Sequence, residues 1–269
     1  MNVWIAIVIG IIEGLTEFLP VSSTGHMILA GHLMDFSGPK AESFEVVIQF
    51  GAILAVVVLY WKRCLRLFGI RDRATGQPAG KGLNLLHIGI GIVPAMATAY
   101  LFRDYIKLLF MPETVVIGLV LGGVFMIVAE KWQPVVQVNT LDDITYRQAF
   151  FIGMSQLLSL WPGFSRSGAT IAGGMLAGAS RTASADFTFL MAIPIMAAAA
   201  LYELLDNLDQ FTRGDLWFFA VGFVVSFLVA LGAVATFIKL VGKLKLTVFS
   251  YYRFVLALVV VMYMLTVGL

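Results

Sequence analysis

Two short stretches of this sequence concentrate groups able to move protons and hold phosphate. The first, EGLTEFLPVSSTGHM at 13–27, carries Glu13, Glu17, Ser22, Ser23, Thr24 and His26. Glu13 and Glu17 are spaced i, i+4, so a helix ending before Pro20 presents both carboxylates on one face. Such a pair suits an oxygen-seeking divalent cation, or lets one acid act as base toward a nearby hydroxyl. The second, WPGFSRSGAT at 161–170, has Arg166 as its only cation, with Ser165, Ser167 and Thr170 as hydroxyl donors. A guanidinium is a planar fork matched to phosphate or carboxylate oxygens. A helix restarting beyond Gly168 would add N-terminal amides that favour an anion. Acids with histidine suggest proton transfer or metal binding, and arginine with hydroxyls suggests a phosphate. Residue types alone leave phosphoryl chemistry and anion transport both open.

Each of these readings has a plainer competitor. An acid in an apolar chain can simply be solvated at a membrane surface, and Arg166 can merely neutralise Glu13 or Glu17. A carboxylate at membrane depth costs at least a few kcal/mol, which weighs two of them toward function. Glu45 and Gln49, again i, i+4, begin an apolar run; the deeper Gln49 is favoured as a substrate contact. His32 and His87 lack acidic or hydroxyl neighbours and read as hydrogen-bonded core. Cys64, the only cysteine, excludes an intramolecular disulfide and reads as packing.

The elements that must position this chemistry are membrane helices. Hydrophobic residues make up 60% of the 269 and charged residues 13%, and the mean hydropathy of +0.93 lies far outside the range of a soluble domain. Apolar runs near 44–61, 84–102, 114–130, 186–202, 216–238 and 248–268 are each close to the roughly 20 residues a spanning helix needs. Their continuity excludes a β-barrel, whose strands alternate. The N-terminus lacks a basic region, and Glu13 and Glu17 interrupt it too early for a cleavable signal. The fold class expected is therefore an all-α integral membrane protein forming one membrane domain.

Charge sets the topology. The 62–83 loop carries Lys62, Arg63, Arg66, Arg71, Arg73 and Lys81 against Asp72, and the positive-inside rule makes it cytoplasmic. Counting spans places 103–113 outside, 131–147 inside, the acidic 203–215 loop outside and 239–247 inside. Span 44–61 then runs opposite to 186–202. Yet a shift of 143 aligns them, putting Gly10 on Gly153, Leu15 on Leu158, Ser22 on Ser165, Gly25 on Gly168, Gly31 on Gly174 and Phe44 on Phe187. This predicts an inverted-topology repeat, about 1–131 and 144–269. Segments 13–36 and 156–180, broken by proline and glycine, are expected to be re-entrant, with tips meeting inside the bilayer.

The two motifs, with FEVVIQFGAILAVVV at 44–58 and LDDITYRQAF at 141–150, strongly resemble the undecaprenyl-diphosphate phosphatase family, the bacitracin-resistance type of lipid diphosphatase. The resemblance covers nearly the whole chain, with no departure at the acidic, hydroxyl, histidine or arginine positions. It implies about six spans plus two re-entrant segments, and hydrolysis of undecaprenyl diphosphate to the monophosphate, recycling the lipid carrier of cell-wall synthesis. It also implies a bacterial inner-membrane protein with a periplasm-accessible site and a divalent cation, Mg²⁺ or Ca²⁺. By that analogy Glu13 and Glu17 hold the metal. Glu17, Ser23, His26 and Arg166 are catalytic, while Ser22, Thr24, Gln49, Ser165, Ser167 and Thr170 bind substrate. The nucleophile could be Ser23, a water, or His26. Expected partners are the membrane, a polyprenyl diphosphate and, as one oligomeric option, a second copy in a homodimer, but no nucleic acid. The alternative is a carrier or flippase using the repeat for alternating access.

Overall fold

The computed structural model describes residues 2–69, 82–206 and 213–267. Among them the elements are α1 (Val3–Thr16), α2 (Ser23–Leu33), α3 (Pro39–Leu59), α4 (Trp61–Leu67), α5 (Leu85–Leu101), α6 (Arg103–Lys107), α7 (Pro112–Trp132), α8 (Tyr146–Gln156), α9 (Arg166–Leu176), α10 (Arg181–Asp206), α11 (Arg213–Leu240) and α12 (Leu246–Val267). Two short 3₁₀ turns and one isolated β-bridge, Val138 to Ala179, complete the secondary structure described.

Among the described residues, five segments are long and apolar enough to cross a membrane: Pro39–Leu59, Pro112–Trp132, Arg181–Tyr202, Asp215–Leu240 and Leu246–Thr266. They coincide with five of the six expected spans. The sixth, expected near 84–102, is α5. It stops at 17 residues, capped by the Asn84 side chain, with Pro94 inside it. At 1.5 Å per residue it is shorter than a hydrocarbon core of about 30 Å. Large apolar side chains such as Leu228, Leu258 and Leu265 point outward from the long helices, as lipid-facing residues do and a water-facing surface would not.

The helices pack through close backbone approaches. Helix α1 lies on α11, where a Cβ at Gly10 would come within 2.8 Å of the Gly222 carbonyl. Helix α8 lies on α5, where a Cβ at Gly153 would collide with the backbone of Gly91. Gly10 and Gly153 are a pair aligned by the shift of 143, so the sequence identity marks the same packing role twice. The shift also carries Ser23–Leu33 onto Arg166–Leu176 end for end. Both helices start from a serine with positive φ, 70° at Ser22 and 72° at Ser165. Each serine Oγ accepts from the amide three residues on, Gly25 and Gly168, as N-caps do.

Both expected interruptions are present. The first separates α1 from α2 at 17–22. The second runs from the 3₁₀ turn at Leu157–Leu160 to Ser165, so the second helix restarts at Arg166 rather than beyond Gly168. Side chains tie together ends that the charge pattern assigns to one side. Arg63 bonds Asp142, and Arg181 bonds Glu130, 2.8 Å away. Lys40 bonds Asp215 at 2.9 Å, and Arg103 donates to Tyr202 at 3.0 Å. Arg71, Asp72, Arg73 and Lys81 of the basic loop, and Asp209 of the acidic one, lie outside the described residues.

Candidate active site

The two interruptions meet. Glu17 caps α1, its amide bonded to the Glu13 carbonyl. Its Oε1 accepts from Arg166 Nη2 at 2.9 Å and its Oε2 from Ser23 Oγ at 2.5 Å. Ser167 Oγ adds a second link, donating to the Leu19 carbonyl at 2.9 Å. Arg166 also rests over the Phe18 ring and against Met196 Sδ, so its fork is held by one acid and apolar walls. Its remaining terminal nitrogen, Nη1, is buried without a hydrogen-bond partner. Beside this junction lies a small cavity of about 130 Å³ lined by Glu17, Ser22, Ser23, Thr24, Gln49, Ser165 and Arg166, with Phe110, Ser159, Pro162 and Gly163.

Glu13 lies behind it, fully buried, with neither carboxylate oxygen hydrogen-bonded. Its charged neighbours are Glu17, Glu45 and Arg166. A buried carboxylate without a donor is costly unless it is protonated, paired or bound to a metal. Among the described residues no three His, Cys, Asp or Glu gather in a metal-binding group. Glu13 and Glu17 offer two carboxylates, and Mg²⁺ is commonly held by one or two, with substrate phosphates and water completing its shell. The oxygen donors therefore fit the expected ion. Gln156, which the shift of 143 places on Glu13, is also buried with an unpartnered Oε1.

Seven of the expected site residues thus share one cavity, and four stand apart from its lining. Besides Glu13, these are Ser167, Thr170 and His26. Ser167 spends its hydroxyl on Leu19. Thr170 is fully buried, donating to the Arg166 carbonyl at 2.8 Å and accepting from Thr188. In this structure both hydroxyls lock α9 in place: Thr170 bonds back to the carbonyl four residues before it, and Ser167 ties the start of the helix to the first interruption. His26 holds the Ser22 carbonyl with Nδ1 at 2.8 Å and Tyr252 Oη with Nε2 at 2.6 Å. A carbonyl only accepts, so Nδ1 carries the proton and Nε2 accepts from the tyrosine. Of the other histidines, His87 is buried on Asn84 as expected, while His32 is exposed rather than core.

One functional residue escaped the sequence reading. Arg253 of α12 is fully buried without an acidic partner. It donates to the carbonyls of Gly163 and Phe164, each at 2.8 Å, and to those of Gly118 at 3.0 Å and Leu119 at 3.2 Å. It therefore bolts the second interruption to α7. Gly122 makes the room, since a Cβ there would collide with the guanidinium. The signal was available: a lone cation inside an apolar span deserves the same suspicion as Arg166.

The family model described as bacitracin resistance protein BacA matches residues 6–259, almost the full length and both halves of the site. The chain therefore belongs to the bacitracin resistance protein BacA family, the family of undecaprenyl-diphosphate phosphatases.

Proposed function

We propose that the protein hydrolyses undecaprenyl diphosphate to undecaprenyl phosphate and inorganic phosphate. Its place would be a bacterial inner membrane, where the product re-enters cell-wall synthesis and its formation confers bacitracin resistance. The observation that carries this reading is the chain Ser23 Oγ to Glu17 to Arg166, which joins a hydroxyl, its base and a phosphate-binding fork in one cavity. The matched helices α2 and α9 support a further part of it. The two interruptions would be re-entrant, enter from opposite faces and meet within the bilayer, with the cavity reached from the periplasm.

The residues suggest the following division of work. Arg166 holds the terminal phosphate through Nη1 while Nη2 stays on Glu17. Ser22, Thr24 and Ser165 supply further donors, and the amide end of α9 adds positive potential. Ser23 Oγ attacks the terminal phosphorus and passes its proton to Glu17. The bond from that phosphorus to the bridging oxygen breaks, and the prenyl monophosphate leaves. The proton held by Glu17 goes with the departing monophosphate. Water then attacks the phosphoserine phosphorus and gives a proton to the freed Glu17. The Oγ–P bond breaks, and Glu17 returns that proton to Ser23 Oγ as inorganic phosphate leaves. His26 is less suited as nucleophile, because both ring nitrogens are engaged away from the cavity. Glu13 and Glu17 would hold a divalent cation, which supplies charge neutralisation to the diphosphate oxygens. Arg166 itself stabilises the charge that develops on the transferred group, commonly the largest catalytic contribution.

The test is phosphate release from undecaprenyl diphosphate by purified protein in detergent, with and without chelator, beside Ser23→Ala and Arg166→Ala. Release that needs the cation and is lost in both folded variants is the expected result. Wild type that binds the lipid yet releases nothing would overturn the phosphatase in favour of a carrier.

A further inference from the structure

An apolar groove of about 720 Å³ runs between α1, α11 and α12, a volume typical of small-molecule pockets. One wall belongs to the catalytic interruption itself. Leu19 and Val21 face the groove, while Glu17, Ser22 and Ser23 of the same segment line the polar cavity. The rest is hydrocarbon and aromatic: Val229, Phe237, Leu240, Val248 and Phe249 among others. Of its hydroxyls, Thr16 is already spent on the Ile12 carbonyl. Tyr252 stands in the wall and donates to His26, whose other nitrogen holds Ser22. Groove and phosphate cavity are thereby joined through two consecutive contacts.

We infer that this groove seats the isoprenoid chain of the lipid diphosphate, with Gly232 setting how much chain it admits. The inference rests on the phosphatase reading above. A head group in the polar cavity and a hydrocarbon tail need abutting polar and apolar chambers, and the 17–23 segment is the boundary between two such chambers. A second apolar pocket, of about 340 Å³ and lined by Leu109, Leu121, Trp161 and Phe164, flanks the other interruption. It has half the volume and no polar bridge to the site comparable to Tyr252–His26. Gly232 offers the probe. A Cβ added there meets nothing within 4 Å, so a larger side chain starts into open groove space without a backbone clash. In a helix it also replaces the weakest former but proline.

The experiment measures kcat and KM of the full-length protein for undecaprenyl diphosphate and for dimethylallyl diphosphate, which has a single isoprene unit. Gly232→Phe should raise KM for the long substrate about tenfold, as loss of a methylene or two of pocket contact does, and leave kcat/KM for the short one within a factor of about two. Thr236→Phe, one turn further along α11, should repeat the pattern, and Leu121→Trp in the smaller pocket should not. Equal losses on both substrates, no loss on either, or the chain-length effect in Leu121→Trp alone would overturn the assignment. If wild type releases no phosphate, the phosphatase reading falls, and binding of undecaprenyl diphosphate decides the groove. Weaker binding by Gly232→Phe supports it, and unchanged binding overturns it.

Discussion

Arg166 and Glu17 stand at the tips of different halves of the chain and share a 2.9 Å ion pair, with side chains only 15% and 10% exposed. Neither half therefore completes the site alone. The pair also leaves one arginine nitrogen and both Glu13 oxygens without partners in the same neighbourhood. A site meant only to neutralise charge would have paired them. The open donor and acceptors are what the proposed reaction would use, the one for an anion and the others for a cation.

Arg166→Lys should therefore separate charge from geometry. An ammonium still neutralises Glu17 but presents one compact charge in place of a planar fork. The variant should melt close to wild type and lose about a hundredfold or more in phosphate release, as removal of a preorganised donor does. Arg166→Ala leaves Glu17 buried and unpaired and should cost roughly 3 kcal/mol of stability as well. Thermal melting and turnover measured on the same preparations check both. Wild-type turnover in the lysine variant would remove Arg166 from phosphate binding.

Glu13→Gln tests the cation. The substitution keeps the shape and removes a charge that no hydrogen bond supports and that two other acids crowd against one arginine, so the variant without metal should be at least as stable as wild type. Its phosphate release should fall and lose its response to added Mg²⁺. A less stable variant that keeps full, chelator-sensitive activity would show that Glu13 is structural and that any ion sits elsewhere.

Much of this was legible in the residues. The 143-residue shift found the matched helices because glycine and serine are demanded by backbone geometry, at Gly10 and Gly153 by close approach and at Ser22 and Ser165 by capping. Span positions followed from apolar content, although α5 shows that composition does not fix where a cap ends a helix. The hydroxyls divided less predictably. Ser165 and Ser167 look alike in the sequence, yet one lines the cavity and the other is spent on Leu19, a distinction set by the helix start at Arg166. The Tyr252–His26 contact spans 226 residues and leaves no local pattern. Arg253 is legible as a lone cation in an apolar span, but the Ser250, Tyr251 and Tyr252 before it come without the glycines and acids that mark the other two motifs.

Ser23 and His26 should respond differently to truncation. Ser23→Ala removes the proposed nucleophile and should reduce turnover to background with little effect on melting. His26→Ala removes a brace between Ser22 and Tyr252, and its loss should stay below the roughly 10²–10⁴-fold expected of a proton-transfer group. Tyr252→Phe, which deletes only the hydroxyl, should reproduce part of the His26 effect. If His26→Ala matches Ser23→Ala and Tyr252→Phe is silent, the histidine acts directly in the chemistry.

Arg253 poses the sharpest contrast between stability and activity. Removing its side chain in Arg253→Met takes away a buried charge, which favours the variant. It also strands the carbonyls of Gly163 and Phe164, at about 1–3 kcal/mol for each orphaned group. The Gly118 and Leu119 carbonyls lie inside α7 and keep their helical partners, so they add little. The opposing contributions should leave net stability within roughly 3 kcal/mol of wild type. Activity has no such compensation, because Gly163 and Phe164 immediately precede Ser165 and Arg166, and a misplacement of about 1 Å can cost on the order of a hundredfold. Arg253→Lys restores a charge but at most three donors where the arginine makes four bonds to two elements, so it should recover turnover only in part. Melting temperature and turnover on wild type, Arg253→Met and Arg253→Lys give the result directly. Full turnover in a folded methionine variant would mean that the second interruption holds its shape without the clamp.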